Sequence, residues 1–284
     1  MPRVLHVSQP SPPSNAAVAA HYDTLDPIYR DLWGQHVHHG LWTTGRETAA
    51  EATENMSRRV LGGLALVPGA HVADIGCGYG GTARIAAEVH GAQVLGLTLS
   101  AAQKREADRQ PVMRGSVKIR VQDWKEAAFA AGSFDALFAL ESLEHFADKA
   151  GFARMARAAV RPGGRVAVTT WLAADRVAPW ARRHLLDAVC REAQVAALVT
   201  ARELRDMFCA AGFSEVLAED LSPRVGRTWS VILARLMWRM LTRRDYWSFL
   251  IKSRARDRIF ALTAVRIRLG YATDCFRYGY FVWQ

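Results

Sequence analysis

Residues 72–81 constrain the fold of this chain more than any other stretch, because a strand, a tight turn and a helix follow one another there. An apolar strand pattern runs into three alternate glycines, Gly76, Gly78 and Gly80, and a helical pattern begins at Thr82. Glycine permits a positive φ and lets the backbone approach a bound group that a Cβ would push away. The N–H groups at the start of the helix are available as donors. The stretch therefore predicts a ligand-binding turn.

The spacing of these glycines distinguishes between cofactor classes. A dinucleotide fingerprint requires G-x-G-x-x-G, whereas here Asp74 precedes a G-x-G-x-G run. The pattern D-x-G-x-G-x-G resembles the S-adenosylmethionine (AdoMet) methyltransferases, in which the loop cradles the methionine end of the cofactor. The resemblance implies an enzyme that uses AdoMet and releases S-adenosylhomocysteine (AdoHcy). It also implies an α/β fold, with a Rossmann-like, seven-stranded class I methyltransferase sheet and helices on both faces.

The charge of the chain is unevenly distributed. Half of the 284 residues (50%) are hydrophobic, which is enough for a sizeable core. The net charge of +10 lies entirely in residues 224–284, which carry 13 Arg and Lys against three Asp, while residues 1–223 carry 24 basic and 24 acidic side chains. There is no signal-peptide pattern and no apolar run of about 18 residues. Four scattered cysteines without a C-x-x-C pair suit a reducing compartment, so we predict a cytoplasmic protein.

The order of the patterns predicts four segments. They are an N-terminal helical cap and substrate loop (residues 1–66), an AdoMet-binding Rossmann-like core (67–223), a basic amphipathic helical lid (224–274) and the last strand of the core (275–284). We expect core strands at residues 71–75, 93–98, 117–121, 134–140, 166–171 and 212–217. We expect helices at residues 16–33, 47–66, 80–90, 101–110, 148–160, 178–194 and 200–211.

Polar and small residues at the ends of the predicted strands are candidates for binding the cofactor. Thr98 stands where many methyltransferases have an acid that holds the ribose hydroxyls, and its hydroxyl would bind them more weakly. Asp123 could accept from the adenine amino group and Trp124 could cover the ring; a surface acid beside a core tryptophan is the alternative. The predicted cofactor-binding residues are Asp74, Gly76, Cys77, Gly78, Gly80, Thr98, Leu99, Gln103, Asp123, Trp124 and Glu141.

Histidines and tryptophans are concentrated in residues 33–42. A metal site is one interpretation, but no carboxylate or cysteine stands at a ligand-like spacing and the glycines indicate a loop. We therefore predict no metal, and an aromatic substrate pocket with a few orienting polar groups. The predicted substrate-binding residues are Tyr22, Trp33, His36, His38, His39, Trp42 and Trp171.

Together the motifs resemble a family that is narrower than the class. The resemblance is carried by residues 22–23, 33–40, 74–78, 96–100, 141–145, 170–171 and 219–222. These segments resemble the γ-tocopherol C-methyltransferase family with its bacterial and sterol-methylating relatives, over residues 16–235. Residues 96–103 and 144–146 also resemble the cyclopropane fatty acid synthases.

The resemblance implies methyl transfer to a lipophilic small molecule, an isoprenoid, prenylated phenol or sterol, with C-methylation favoured. Positive charge on sulfur disperses in the transition state, so a dry pocket that aligns donor and acceptor supplies most of the catalysis. A proton must then leave the methylated centre, and Glu144, His145 and after them Glu141 are the candidate bases. The alternative for His145 is a loop histidine that only holds the backbone.

Other functions stay open at this point. They are N- or O-methylation of a soluble natural product, a cyclopropane-type lipid modification, and nucleic-acid methylation. The basic amphipathic pattern of residues 224–274 favours a lipophilic substrate and a peripheral membrane contact. Because the basic residues alternate with an apolar stripe and no recognition module accompanies them, we predict no nucleic-acid partner. The oligomeric state is left open.

Overall fold

A computed structural model describes residues 7–8, 11–244, 246 and 260–284. The strands are β1 (Val7–Ser8), β2 (His71–Ile75), β3 (Gln93–Thr98), β4 (Ser116–Val121), β5 (Phe134–Leu140), β6 (Val160–Ala173), β7 (Ala197–Leu198), β8 (Glu215–Asp220) and β9 (Phe276–Trp283). The helices are α1 (Asn15–Trp33), α2 (Ala49–Gly63), α3 (Gly81–His90), α4 (Ala101–Ala107), α5 (Lys149–Ala159), α6 (Pro179–Ala181), α7 (Asp187–Glu192), α8 (Ala201–Ala210), α9 (Ser222–Val225), α10 (Arg227–Thr242) and α11 (Phe260–Ala272).

Seven strands form one sheet in the order β4-β3-β2-β5-β6-β9-β8. Neighbouring strands from β4 to β6 are parallel, and β9 runs antiparallel to both β6 and β8. This confirms the predicted Rossmann-like class I methyltransferase sheet, including an antiparallel last strand that enters after a helical insertion. The carboxyl ends of β2, β3, β4 and β5 meet at one edge, where ligands of open α/β sheets bind. The pairing of β1 with β7 was not predicted.

The core lies on both faces of the sheet, as the apolar run of β5 indicates. Ala136 and Phe138 belong to the hydrophobic cluster on one face, whereas Leu137 and Ala139 belong to the cluster on the other. Successive side chains of a strand point to opposite faces, so a central strand that is covered by helices on both sides is apolar throughout. The edge strands β4 and β8 are mostly exposed and correspondingly polar.

The second helix begins later than its pattern predicted. Thr48 is the N-cap, because its Oγ1 accepts from the N–H of Glu51 while the Glu51 carboxylate accepts from the N–H of Thr48. Glu47, which was expected to open the helix, accepts instead from the loop N–H groups of Thr43 and Thr44 at 2.8 and 2.7 Å. The sequence contains two capping-box spacings, Thr44 to Glu47 and Thr48 to Glu51, and the pattern alone does not show which of them begins the helix.

The helix expected over residues 178–194 is interrupted. It divides into α6, a π-helical turn (Arg182–Leu186) and α7. The wider turn directs Leu185 and Leu186 into the core. The strand expected at residues 212–217 lies slightly later, as β8, because Gly212 and Phe213 form the turn before it.

The predicted lid is described in part. Residues 245 and 247–259 of the 224–274 segment lie outside the described residues, as do residues 1–6 and 9–10 of the N-terminal segment. Helix α10 packs on α1, where Ile232 and Leu236 contact the cluster of Leu25, Ile28 and Leu32. Among the described helices, none has the length and apolar character needed to cross a membrane.

Candidate active site

The turn after β2 has the backbone that its glycines predicted. Gly76, Gly78 and Gly80 all have positive φ, at 83°, 55° and 71°. A Cβ at Gly76 would collide with the side chain of Ser142, so only glycine fits there. The turn brings the first N–H groups of α3 to the carboxyl edge of the sheet, where they are available to an anionic or polar ligand.

A cavity of about 330 Å³ opens over this turn. Ten of the predicted cofactor residues line it: Asp74, Gly76, Cys77, Gly78, Thr98, Leu99, Gln103, Asp123, Trp124 and Glu141. Gly80 is not among the lining residues, because it is the N-cap of α3 and faces Arg84 and Ile119. Its expected contact with the cofactor is therefore corrected to a role in shaping the turn.

The environment of Asp74 indicates whether this cavity fits AdoMet. The residue is 2% exposed, and its Oδ2 lacks a hydrogen-bond partner within the described part of the chain. Burial raises the pKa of Asp74 well above its usual range. A buried polar oxygen without a partner requires a donor. AdoMet has an amino group and two ribose hydroxyls that can donate, so the residues present fit the cofactor.

Helix α1 forms the wall of the cavity that faces the sheet edge, a role that the sequence patterns did not reveal. Asn15 Nδ2 donates to Asp123 Oδ2 at 2.6 Å. Asp23 Oδ1 accepts from Ser100 Oγ at 2.5 Å and from the N–H of Ala102 at 3.1 Å. These bonds fasten the start and the middle of α1 to the loop after β4 and to the start of α4. The only signal for them in the sequence was the position of residue 23 in a family motif.

Trp124 serves the core and the cavity together. Its ring centroid lies 5.5 Å from those of Phe146 and Phe152, and the residue is 8% exposed. Asp123 also lines the cavity and caps the short 3-10 helix Trp124–Glu126 by accepting from the N–H of Lys125. The two interpretations of this pair, a surface acid beside a core tryptophan and a cofactor edge, are therefore compatible.

A second, smaller cavity of about 70 Å³ adjoins the first. Tyr22, Val37, His38, Glu141 and His145 line both cavities and form the boundary between them. The predicted site residues that line the second cavity are Tyr22, Trp33, His38, His39, Glu141, Glu144, His145 and Trp171. Four residues of α10 and α11 add to its wall, Thr228, Trp229, Thr263 and Ile267. The structure therefore brings the candidate bases and most of the predicted substrate residues together.

Two predicted substrate residues lie elsewhere. Trp42 is buried, its Nε1 donates to Thr228 Oγ1 at 3.0 Å, and the guanidinium of Arg227 lies 5.1 Å from the ring centroid, so Trp42 is a core residue. His36 packs against Gly81 and lines the cofactor cavity. Burial lowers the pKa of His36 to about 3. Neighbouring side chains of one loop point in different directions. Residues of the 33–42 loop therefore line different parts of the molecule and not a single pocket.

Glu141 is the centre of a buried hydrogen-bond network. Its carboxylate accepts from the His39 N–H at 2.6 Å, His39 Nδ1 at 2.8 Å, Trp171 Nε1 at 3.0 Å and the Tyr278 hydroxyl at 2.6 Å. Burial alone would raise the pKa of Glu141, but the hydrogen bonds from His39 and Tyr278 lower it. A carboxylate has about four acceptor positions, and here all are in use. Glu141 is therefore an anchor of the site rather than a base.

The second ring nitrogen of His39 extends this network to the C-terminal segment. His39 Nε2 lies 2.6 Å from Trp229 Nε1 and 3.1 Å from the Tyr271 hydroxyl. An indole N–H can only donate, so Nε2 accepts and Nδ1 carries the proton that is donated to Glu141. The sequence did not indicate that Trp229, Tyr271 and Tyr278 join this network, because contacts across 137 positions or more leave no local pattern.

Glu144 has the opposite electrostatic environment. The residue is 2% exposed, and its Oε2 accepts from Thr170 Oγ1 at 3.0 Å. Burial and then the charge of Glu141 raise the pKa of Glu144 to about 8. Glu144 is therefore mostly protonated at neutral pH, which does not suit the part of carboxylate base that the sequence suggested.

His145 is fixed by one hydrogen bond on each ring nitrogen. Nδ1 lies 2.8 Å from the backbone oxygen of Gln194, and Nε2 lies 2.9 Å from the Tyr22 hydroxyl. A carbonyl only accepts, so Nδ1 carries the proton and Nε2 accepts from Tyr22. Burial lowers the pKa of His145 to about 4, so the ring is neutral at pH 7. His145 holds the backbone, as one interpretation had it, and also presents a basic nitrogen between the cavities.

The sheet order, the glycine turn and the cavity with its unpartnered carboxyl oxygen define a class I AdoMet-dependent methyltransferase. Within the described residues, no three His, Cys, Asp or Glu side chains are arranged to hold a metal ion. Residues 10–237 match the family model described as mycolic acid cyclopropane synthetase. The chain belongs to this family.

Individual relatives agree with that assignment. O-methyltransferase resE of Aspergillus sclerotiorum is 32% identical over 222 residues, which cover 75% of this chain and 81% of that protein. The chloroplastic tocopherol O-methyltransferase of Arabidopsis thaliana is 26% identical over 284 residues, covering 92% and 80%. The crystal structure of mycolic acid cyclopropane synthase CmaA1 with SAH and CTAB has a TM-score of 0.84 at 21% identity, covering 97% of this chain and 100% of that one. The tocopherol and cyclopropane resemblances drawn from the sequence are both confirmed.

Proposed function

We propose that this enzyme methylates a hydroxyl oxygen of a lipophilic small molecule, such as a prenylated phenol, an isoprenoid alcohol or a sterol. The observation that carries the proposal is the neutral His145, whose Nε2 accepts from Tyr22 where the two cavities meet. A hydroxyl loses its proton on methylation, and that proton can follow an existing hydrogen bond to Nε2. A proton on carbon makes no comparable bond, so this arrangement favours oxygen as the methylated atom, whereas the sequence favoured carbon.

The proton path involves two side chains. AdoMet, when bound, supplies an electrophilic methyl group on a positively charged sulfur. In the proposed path the acceptor hydroxyl donates to the oxygen of Tyr22, and Tyr22 donates to Nε2 of His145 at 2.9 Å. Burial raises the pKa of Tyr22 well above its usual range, so the two protons move together without a free tyrosinate. The Gln194 carbonyl accepts from Nδ1 and stabilises the imidazolium that results.

The other predicted residues take supporting parts in this proposal. Asp74 would accept from a donor of the cofactor, Thr98 and Gln103 would hold its ribose, and Asp123 and Trp124 would hold its adenine. The remaining cofactor-cavity residues shape the seat of the methionine end.

In the acceptor cavity, protonated Glu144 is a donor for a second polar group of the acceptor. Four donors hydrogen-bond to the carboxylate of Glu141, so Glu141 does not compete for the hydroxyl proton of the methyl acceptor. Base chemistry is assigned to His145 alone.

The lipophilic character of the acceptor follows from the rings of the second cavity. Trp33, Trp171 and Trp229 line it, and a tocopherol O-methyltransferase is among the relatives. The cavity volume of about 70 Å³ is smaller than drug-sized ligands need, so α10 and α11 act as a lid that shifts on binding. A cytoplasmic location with a peripheral membrane contact through residues 224–274 belongs to the same proposal.

The test is to incubate the protein with methyl-labelled AdoMet and a panel of prenylated phenols, terpenoid alcohols, sterols and amines. NMR and mass spectrometry of the product locate the label. We expect a methyl ether from a lipophilic hydroxyl compound, and no loss of a carbon–carbon double bond. Label on carbon or nitrogen, or a cyclopropane ring, would overturn the oxygen assignment while leaving the AdoMet chemistry intact.

A further inference from the structure

Exposed apolar side chains are concentrated on two neighbouring helices of the C-terminal segment. They are Met237 (63% exposed), Trp238 (63%) and Leu241 (81%) on α10, and Leu262 (47%), Val265 (40%) and Leu269 (48%) on α11. Residues spaced three or four apart lie on one face of a helix, so each helix presents its three residues together. We call this surface the α10–α11 apolar face. Exposed apolar side chains grouped on neighbouring helices indicate an interaction site on a globular protein.

The two helices pack against each other. Arg268 Nε of α11 donates to Ser230 Oγ of α10 at 2.9 Å, which joins the outward sides of the helices. The inward sides are buried: Ile232 and Leu236 pack on α1, and Ala264 and Ile267 pack in the main core. The apolar face therefore points away from the protein.

The surroundings of the face are strongly basic. The described residues of this segment, 224–244, 246 and 260–284, include nine arginines and one acidic residue, Asp274. Arg239 and Arg243 at the end of α10 share one carboxylate, that of Asp31. Arg235, Arg244 and Arg268 are also exposed on or next to these helices, so the surface attracts an anionic partner.

The same helices border the acceptor cavity. Thr228 and Trp229 of α10 and Thr263 and Ile267 of α11 line that cavity from the inside. Helix α11 thus lies between the acceptor cavity and its own exposed apolar residues, and α10 continues from the cavity wall to the apolar face. A partner that holds the α10–α11 apolar face is adjacent to the place where a lipophilic acceptor is methylated.

We propose that the α10–α11 apolar face docks on an anionic lipid bilayer, with Trp238, Met237 and Leu241 inserted at the interface and the surrounding arginines on the headgroups. Arginine beside exposed tryptophan and leucine is the pattern of interfacial helices. A nucleic acid would use the same charge but has no use for the apolar residues between the arginines. The purpose of docking, delivery of a membrane-borne acceptor, rests on the proposed function, whereas the docking itself does not.

The test is flotation of the full chain with vesicles of phosphatidylcholine alone and of phosphatidylcholine mixed with phosphatidylglycerol. We expect binding to the anionic vesicles, weakened by salt, and little binding to the neutral ones. The triple variant Met237→Ser, Trp238→Ser, Leu241→Ser should reduce the fraction bound by roughly tenfold or more, because its apolar contribution is lost. The matched control is Trp180→Ser, since Trp180 is 56% exposed on α6, outside the face.

Several results would overturn the proposal. One is equal flotation of the triple variant and the wild type, and another is a loss in Trp180→Ser as large as in the triple variant. Binding of an RNA or DNA oligonucleotide in place of the anionic vesicles would indicate a nucleic-acid surface. A change from dimer to monomer in the triple variant, without lipid, would indicate a second copy of the chain. AdoHcy binding by calorimetry confirms that each variant is folded, and turnover of a short-chain acceptor in solution tests the proposed function separately.

Discussion

At the scale of single residues, His145 and Tyr22 carry the chemistry, and their removal should separate catalysis from cofactor binding. His145→Gln is expected to lower kcat by about 10²- to 10⁴-fold, the usual contribution of a positioned base. Tyr22→Phe should lower kcat by at least about tenfold, because the relay hydroxyl at 2.9 Å from Nε2 is lost. Steady-state kinetics and calorimetry with AdoHcy provide the measurements. Near-normal kcat in Tyr22→Phe would mean that the acceptor gives its proton to His145 directly.

The fall in kcat/KM at low pH should reflect protonation of the His145 ring. Burial lowers the pKa of His145 to about 4, so the base stays unprotonated far below the usual histidine range near 6.5. We expect kcat/KM to remain level as the pH falls from 7 to about 5 and to decline only towards pH 4. The measurement is kcat/KM in overlapping buffers, limited to pH values at which circular dichroism shows a folded chain. A limb near pH 6.5 would contradict the buried, neutral ring.

Glu144 should instead appear in the pH dependence of stability. The folded state raises its pKa to about 8, against about 4.3 for an unperturbed glutamate, so the folded chain holds this proton more tightly. That contribution is complete below about pH 4.3 and is lost as the pH rises towards 8. Glu144→Gln keeps the shape without the titration. Its Tm should therefore rise relative to that of the wild type between about pH 5 and pH 8, and a constant difference would contradict the raised pKa.

At the scale of elements, α1 is the piece that closes the cofactor cavity and also builds the acceptor cavity. Its fastening by Asp23 to Ser100 and Ala102 should therefore affect both ligands. Asp23→Asn replaces charge-assisted bonds by weaker ones, and we expect the Kd for AdoHcy to rise roughly tenfold. Calorimetry measures this, and Asp108→Asn is the control, since Asp108 pairs with Lys104 on the outside of α4. An unchanged Kd would show that α1 is held by its apolar contacts alone.

The elements that the sequence located are those with a local signal. The glycine turn after β2, the start of α4 and the apolar run of β5 depend on residues within a few positions, and all lie where they were predicted. What escaped prediction depends on distant partners. Trp42 became a core residue because Thr228 bonds to it, and Glu141 became an anchor because Tyr278 donates to it. Periodicity carries no record of pairs that far apart.

At the scale of the whole molecule, the two hydrophobic clusters share one sheet, so occupancy of the cofactor cavity should stabilise the entire chain. AdoHcy at about 100 times its Kd is expected to add about 2.7 kcal/mol to the free energy of unfolding. The shift in Tm on adding AdoHcy, followed by circular dichroism, measures this.

Gly76 provides the sharpest control for that stabilisation. Gly76→Ala introduces a Cβ that collides with Ser142 beneath the cofactor seat, so the shift in Tm should be largely lost. Gly69→Ala carries the same backbone strain, since φ is 81° at Gly69 and 83° at Gly76, but its Cβ meets nothing within 4 Å. Both variants should have a lower Tm without ligand. Only Gly69→Ala should recover stability with AdoHcy as fully as the wild type does, because only there is the shape of the cavity unchanged. Equal recovery in both would mean that the turn after β2 does not form the cofactor seat.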